Sequence, residues 1–225
     1  MIMRSDKNII EVKGAGFSYA EAGHPVFSDV NLSVCEGECV LIEGENGSGK
    51  TTLFRILNGL SFLDKGSYTF DGEEINRNYL KDNKRAKVFH KRIAYLFQNV
   101  DVMLFNQSVY DEVAFGPRQM GLSDKEVNER VKDCLKIFDI EDLKDKAPYH
   151  LSGGQKKKVA FASILSLNPE LIILDEPEAG LDKVSREKMI ELLLDLKKAK
   201  KTLIIASHDE GIKKRLNSKI FKLGL

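Results

Sequence analysis

The stretch GENGSGKTT, residues 44–52, constrains the fold of this chain more than any other feature. It matches the spacing G-x-x-x-x-G-K-[S/T], in which glycines free the backbone amides to wrap phosphates. The apolar run VLIEG leads into it, and KTTLFRILNGL follows with apolar residues at helical spacing. Because strand, loop and helix in this order form a phosphate-binding loop, the alternative of a glycine-rich structural turn is disfavoured.

The residue types in this loop indicate separate roles. We expect Lys50 to reach the β and γ oxygens of a bound nucleotide and Thr51 to offer its hydroxyl to Mg²⁺. The loop contributes nine predicted nucleotide-binding residues: Gly44, Glu45, Asn46, Gly47, Ser48, Gly49, Lys50, Thr51 and Thr52.

Two adjacent carboxylates end the strand-like run LIILDE. Since parallel strands end at a common sheet edge, we expect them to face the phosphate loop. Asp175 suits a magnesium ligand, and Glu176 suits the group that polarises the attacking water. Neighbouring strand residues point to opposite faces, so the two acids should have different tasks. For an isolated acid pair, a solvated strand end would be the better interpretation.

A second glycine turn lies in YHLSGGQKKKVAFAS, residues 149–163, at the head of a predicted helix. Amides at a helix N-terminus bind anions, so this turn is a second candidate phosphate site. We expect the three lysines that follow it, Lys156, Lys157 and Lys158, to form a solvated basic face.

Composition limits the classes of partner. The 225 residues are 42% hydrophobic, enough for a substantial core, and 35 Lys+Arg against 34 Asp+Glu leave a net charge of +1. That balance gives no general attraction to nucleic acid, so the basic run 81–92 is interpreted as a solvated loop or helix. Cys35 and Cys39 are expected to be strand residues flanking a turn, not half of a metal site. Three cysteines and no apolar leader predict a cytoplasmic protein.

Five motifs, in the family's order, resemble those of ATP-binding cassette ATPases, the nucleotide-binding subunits of ABC transporters. Residues 44–52 resemble the Walker A motif, LIILDEP the Walker B motif, AGLD with Asp182 the D-loop, and ASHD with His208 the switch histidine. The signature motif is matched by Leu151, Ser152, Gly153, Gly154 and Gln155. The resemblance implies hydrolysis of ATP to ADP and phosphate with Mg²⁺. A strand-terminal histidine is otherwise most often structural, so the catalytic role of His208 depends mainly on this resemblance.

The same resemblance assigns two further residues. Gln98 in YLFQN resembles the Q-loop glutamine, which contacts Mg²⁺ and acts in catalysis, and Tyr19 in FSYAE resembles the aromatic that stacks on adenine. A half-buried strand aromatic is the alternative for Tyr19. At Glu178 the sequence departs from the family, which usually has Thr or Ser there.

The implied fold is an α/β P-loop NTPase with a mostly parallel core sheet, an N-terminal antiparallel β-subdomain and an inserted α-helical subdomain. We expect one domain over 1–225, with its core and β-subdomain at about 1–98 and 166–225 and its helical subdomain at about 99–165. Ser123 is a plausible helix N-cap with Glu126 three residues on.

Residues 98–123 are similar to the corresponding stretch of energy-coupling factor ATPases and of cobalt and nickel importers. The similarity implies that a transmembrane subunit docks near Gln98 to Phe115, with apolar contacts from Met103, Leu104 and Phe105. The alternative for each of these is a place in the helical core. It also implies uptake of cobalt, nickel or a vitamin such as biotin, at the inner face of the cell membrane.

The two glycine turns are explained if the chain pairs head to tail with a second ABC ATPase subunit. Ser152 and Gly154 would then complete the ATP site of the partner. A soluble ABC ATPase acting on nucleic acid or ribosomes is the alternative function. Such proteins generally carry tandem cassettes, coiled coils or zinc modules, which this sequence lacks.

Overall fold

The structure of the protein, a computed structural model, describes residues 7–20 and 23–224. Its strands are β1 Asn8–Phe17, β2 Phe27–Cys35, β3 Cys39–Glu43, β4 Lys65–Phe70, β5 Glu73–Glu74, β6 Ile93–Leu96, β7 Leu171–Asp175, β8 Thr202–Ala206 and β9 Lys219–Lys222. Its α-helices are α1 Lys50–Leu57, α2 Arg77–Lys81, α3 Asn83–Arg92, α4 Val109–Gln119, α5 Asp124–Ile137, α6 Gly153–Leu165, α7 Lys183–Lys198 and α8 Glu210–Leu216. Three short 3-10 turns lie at 100–102, 141–143 and 148–150.

Five strands form a parallel sheet in the order β6-β7-β8-β3-β9. Every residue of β7 and β8 is buried, as expected for strands covered on both faces. Because the strands are parallel, the loops after β3, β7 and β8 leave the same edge of the sheet. The phosphate loop, the acid pair and His208 therefore meet at that edge, as predicted.

The remaining four strands form an antiparallel sheet in the order β2-β1-β4-β5. The two strands on either side of residues 36–38 belong to different sheets: β2 to the antiparallel sheet and β3 to the parallel one. Cys35 ends β2 and Cys39 begins β3, which confirms them as strand residues on either side of a turn, and both thiols are free. The predicted α/β fold with a mostly parallel sheet and an antiparallel sheet is correct.

Three apolar clusters hold these layers together. Alternate residues of β3 divide between two of them: Val40 and Ile42 face the antiparallel sheet and α1, whereas Cys39 and Leu41 face α6, α7 and α8. The third cluster lies among α4, α5 and α6. Helix α6 contributes to two clusters, with Phe161 in the second and Val159 in the third. This helix therefore joins the helical segment to the parallel sheet.

The start of α5 matches its prediction. The Ser123 hydroxyl accepts from the Glu126 amide, and the Glu126 side chain accepts from the Ser123 amide, which confirms the N-cap. Helix α4 precedes α5 within the segment expected to be helical, and beyond α5 residues 138–150 contain only two 3-10 turns. The basic run 81–92 is mostly the helix α3, of which Phe89 alone is buried. The proposed subdomain boundaries stay a prediction.

Along residues 7–20 and 23–224, no helix combines the length and the apolar character that crossing a bilayer requires.

Candidate functional site

A cavity of about 700 Å³ opens at the edge of the parallel sheet where β3, β7 and β8 end. It gathers most of the side chains that the sequence singled out, together with Val26, which sequence reasoning did not select. The lining residues are Tyr19, Val26, Asn46, Gly47, Gly49, Lys50, Thr51, Thr52, Gln98, Asp175, Glu176 and His208.

Backbone geometry explains the glycines of the phosphate loop. Gly49, the N-cap of α1, has φ of 95°, and a Cβ there would lie 2.8 Å from Val26 Cγ1 and 2.9 Å from Phe27 Cδ1. Gly47 has φ of 85° but faces open space. Gly44 has no room for a Cβ, which would lie 2.6 Å from the Leu223 carbonyl. Gly47 and Gly49 thus present the backbone of the loop to the cavity without side chains of their own.

Lys50 is held inside the loop that it serves. Its ammonium is buried and donates to the carbonyl oxygens of Gly44, at 2.7 Å, and Glu45, at 2.9 Å. The Ser48 amide also donates to the Glu45 carbonyl, which closes the turn. Gly44, Glu45 and Ser48 thus form the frame of the loop and do not line the cavity. Lys50 supplies a positive charge at the N-terminus of α1, where a phosphate would be further favoured by the helix dipole.

Asp175 is a buried acid at the end of β7. Its Oδ2 accepts hydrogen bonds from the Thr51 hydroxyl, at 2.7 Å, and from the Tyr95 hydroxyl, at 3.2 Å. Burial raises the pKa of this carboxyl above its usual range, and the bonds from Thr51 and Tyr95 oppose that change. A hydroxyl and a carboxylate oxygen in contact are the hard ligands that Mg²⁺ prefers, so Thr51 and Asp175 fit a magnesium ion held jointly with nucleotide phosphates.

Glu176 lines the same cavity as Asp175, and the expectation that the two acids point to opposite faces is wrong. The reason is local: Glu176 lies just beyond β7 with φ of 47°, so the strand alternation stops before it. Gln98 Nε2 donates to its Oε2 at 2.8 Å, and His208 Nε2 lies 3.8 Å from its Oε1. The acids still differ in setting, because Asp175 is almost fully buried whereas the Glu176 side chain is 23% exposed.

Tyr19 lines the same cavity. It lies two residues beyond β1, is 46% exposed, and exchanges a hydrogen bond of 3.1 Å with the Thr52 hydroxyl. Its ring contacts Phe17 edge to face at a centroid distance of 4.9 Å. Tyr19 is therefore not a strand residue, and its partly exposed ring lines the cavity.

The signature residues do not lie in this cavity. Leu151 is buried, whereas Ser152 and Gly153 are exposed at the start of α6. The Ser152 hydroxyl accepts from the Gln155 amide, and the Gln155 side chain accepts from the Ser152 amide. Asp182 also lies outside, where it caps α7 by accepting from the amides of Val184 and Ser185. Within one chain, the phosphate loop and the signature turn therefore lie at separate sites.

Two charged side chains near the site, Glu178 and Lys157, are buried, and the sequence did not predict their burial. The Glu178 Oε1 accepts from the Ser207 hydroxyl at 2.6 Å and from the His208 amide at 3.1 Å. Lys157, expected on a solvated face, is only 5% exposed, because its ammonium donates to the carbonyls of Glu176 and Ala179 at 3.1 and 2.6 Å. The departure of Glu178 from Thr or Ser was the one sequence signal for this arrangement.

The residues expected at a docking surface divide by burial. Met103 and Leu104 pack partly against the core, whereas Phe105 is 66% exposed and Phe115 is 41% exposed. The two phenylalanine rings meet edge to face, 5.1 Å apart. Glu112 is buried beneath them and accepts from the amides of Phe105 and Asn106. An aromatic pair is thus held at the surface by a buried carboxylate.

The sequence profile of the ABC transporter family matches residues 27–179. Among characterised relatives, the nickel import ATP-binding protein LarO of Lactiplantibacillus plantarum is 50% identical over 181 residues, which cover 80% of this chain and 75% of that protein. The energy-coupling factor transporter ATP-binding protein EcfA of Methanocaldococcus jannaschii is 44% identical over 201 residues, covering 89% of this chain and 70% of that protein.

Solved structures give the same result. CbiO1 of Clostridium perfringens, part of the ABC transporter complex CbiONQ, aligns with a TM-score of 0.81 and 36% identity over 97% of this chain and 85% of that one. A dimeric ATP-binding cassette in a post-hydrolysis state with ADP and phosphate aligns with a TM-score of 0.86 and 29% identity, over 95% and 94% of the two chains.

Proposed function

This chain belongs to the ABC transporter family of ATP-binding ATPases, and we propose that it drives a membrane importer of the energy-coupling factor type for cobalt, nickel or a vitamin such as biotin. One observation carries the proposal: Glu176, held by Gln98 and near His208, faces a phosphate loop across a cavity sized for a nucleotide. The resemblance of LarO, EcfA and CbiO1 supports the importer class.

The residues of the cavity have complementary tasks in ATP hydrolysis. The loop amides and Lys50 bind the phosphates, and Tyr19 stacks on the adenine. Thr51, Gln98 and Asp175 would hold Mg²⁺, which would supply positive charge to the phosphates. Glu176 orients the attacking water and accepts its proton, and His208 donates a hydrogen bond to the γ-phosphate.

The signature residues are not among the residues that line the cavity of the same chain. Ser152 and Gly154 lie at the N-terminus of α6, outside the cavity, and would bind a phosphate presented by another molecule. We therefore propose a head-to-tail dimer in which each signature turn completes the ATP site of the partner, with Asp182 at the dimer contact. The second subunit is another copy of this chain or a related ABC ATPase.

The transmembrane partner would dock near Gln98 to Phe115. Phe105 and Phe115 offer the apolar contact there, and Gln98 connects that surface to Glu176 by one hydrogen bond. Docking of this kind would place the chain at the inner face of the membrane as a peripheral subunit. The proposal leaves nucleic acid without a role.

Turnover with Mg²⁺ and ATP tests the enzymatic part. Glu176→Gln should bind ATP normally yet hydrolyse it at least about a hundredfold more slowly, as the loss of a general base predicts. Glu191→Gln, on an exposed turn of α7, is the matched control and should leave the rate unchanged. Near-normal turnover in Glu176→Gln would contradict the assignment.

Copurification with an integral membrane protein, followed by uptake of labelled nickel, cobalt or biotin into cells, tests the transport part. Stimulation of the ATPase rate by DNA or RNA, with no membrane partner recovered, would instead favour a soluble ABC ATPase.

A further inference from the structure

Glu178 is a buried acid, and a buried charge is costly unless it is paired and hydrogen-bonded. It is 8% exposed, and one of its oxygens, Oε1, accepts from the Ser207 hydroxyl and the His208 amide. Ser207 in turn accepts from the Asp209 amide at 3.0 Å. The carboxylate thus fixes the backbone turn from which the His208 side chain projects into the cavity.

The second oxygen of Glu178 differs from the first. Oε2 is buried and has no hydrogen-bond partner among the described residues. A half-satisfied buried carboxylate is costly unless an opposite charge lies near it. Lys157 is a buried cation whose charge is felt by this carboxylate: burial lowers the pKa of its ammonium, and the charges of Glu178 and Glu176 oppose that lowering.

Lys157 also holds the turn that carries Glu178, through backbone carbonyls of that turn. Its ammonium donates to the carbonyls of Glu176 and Ala179, the residues two before and one after Glu178. Glu176 has a left-handed backbone, which is strained for a side chain and persists only where the surroundings fix it. Lys157 belongs to α6, which packs in two apolar clusters and begins at the signature turn.

We propose that Glu178 is a positioning residue for His208, and that Lys157 fixes the turn carrying Glu176 and Glu178 to the signature helix α6. The inference rests on the proposed function, because it assumes that Glu176 and His208 act in ATP hydrolysis. It adds a link between the signature helix and both of these residues that is separate from the Gln98–Glu176 hydrogen bond.

Steady-state kinetics and a double-mutant cycle test the link. Glu178→Ala should lower kcat about tenfold or more while the Kd for ATP stays within about twofold, because the nucleotide-binding loop is untouched. Glu178→Gln should restore most of kcat, since its amide oxygen can still accept from Ser207 and His208. In a His208→Ala background, Glu178→Ala should cost less than about twofold, since its effect passes through His208. Glu191→Ala is the control with an unchanged rate.

The proposal would be overturned if the losses of kcat in Glu178→Ala and His208→Ala multiplied fully in the double variant. It would also be overturned if Glu178→Ala weakened ATP binding while kcat stayed unchanged. Should Glu178→Ala fail to fold, Ser207→Ala removes one of the same hydrogen bonds with a smaller change and should show the same non-additivity with His208→Ala. Lys157→Met should lower kcat in the same way, and an unchanged kcat there would refute the role of Lys157.

Hydrogen exchange separates failure of this link from failure of the proposed function. In protein without nucleotide, Glu178→Ala should raise amide exchange at His208 and Asp209, whereas Glu191→Ala should not. If ATP turnover by the wild-type protein did not depend on Glu176, the proposed function would be contradicted. Amide exchange at His208 would still decide whether Glu178 holds the His208 backbone. Unchanged exchange there would overturn the inference.

Discussion

The Thr51 hydroxyl donates a hydrogen bond of 2.7 Å to Asp175 Oδ2, joining the second residue of α1 to the last residue of β7. These positions are far apart in sequence and belong to the phosphate loop and the acid pair. Two strands that are not neighbours in the sheet thus deliver a hydroxyl and a carboxylate to one point. Since both groups fit Mg²⁺, this contact marks where the ion would bind with the nucleotide.

Removal of the ion should therefore imitate a substitution of Asp175. Wild-type protein should bind ATP about tenfold more tightly with Mg²⁺ than with EDTA, and Asp175→Asn should lose that difference because it lacks the charge. Titration calorimetry with and without Mg²⁺ measures both. Equal Mg²⁺ dependence in the two proteins would contradict the assignment of Asp175.

Lys50 should account for much of the ATP affinity. In Lys50→Ala the phosphates lose a buried, charge-assisted hydrogen-bond donor, so the Kd for ATP should rise at least about tenfold and turnover should be lost. Lys65→Ala, which removes an exposed lysine at the start of β4, is the control. Fluorescent ATP binding would report the difference, and an unchanged Kd in Lys50→Ala would count against the phosphate-loop role.

Two glycines of the loop should respond differently to alanine. Both Gly47 and Gly49 have positive φ, so each alanine should cost about 1–2 kcal/mol of unfolding free energy in backbone strain. Only Gly49→Ala also meets Val26 and Phe27, which should add about 1–3 kcal/mol of overpacking. Urea unfolding of the two variants tests this, and equal losses would show that the contacts at Gly49 relax without cost.

Sequence reasoning located the site well because the chemistry of this fold is concentrated at strand ends. Apolar runs such as LIILD and TLIIA are typical of buried parallel strands, and Asp175 and His208 lie where these two runs end. The strand rule failed at Glu176, where a left-handed backbone ends the alternation. Tertiary contacts also determine the burial of Lys157. Its place in a run of three lysines indicated a solvated side chain, but its ammonium donates to two carbonyls of a turn distant in sequence.

The aromatic pair Phe105 and Phe115 should be needed for docking and dispensable for basal hydrolysis. Phe105→Asp should abolish copurification with the transmembrane subunit, because a charge in an apolar contact is desolvated without a partner. Val88→Asp, at a residue 57% exposed on α3, is the matched control and should copurify normally. If Phe105→Asp still copurified with the transmembrane subunit, the docking surface would lie elsewhere on the chain.

Glu112 should support the same surface from beneath. Glu112→Ala leaves the amides of Phe105 and Asn106 without their acceptor, and should destabilise the fold by about 1–3 kcal/mol. Copurification with the membrane subunit should weaken in parallel, whereas ATP affinity should not change. Thermal unfolding and pull-down measure the two effects, and a variant as stable as wild type would show that the amides find other partners.

Ser152 of a second subunit should complete each ATP site. The ATPase rate per chain, measured over a range of protein concentrations that spans monomer and dimer by sedimentation, tests it most directly. The rate per chain should rise with concentration and level off when dimers predominate, and Ser152→Arg should abolish that rise. A rate per chain that stays constant down to well-separated monomers would contradict the account.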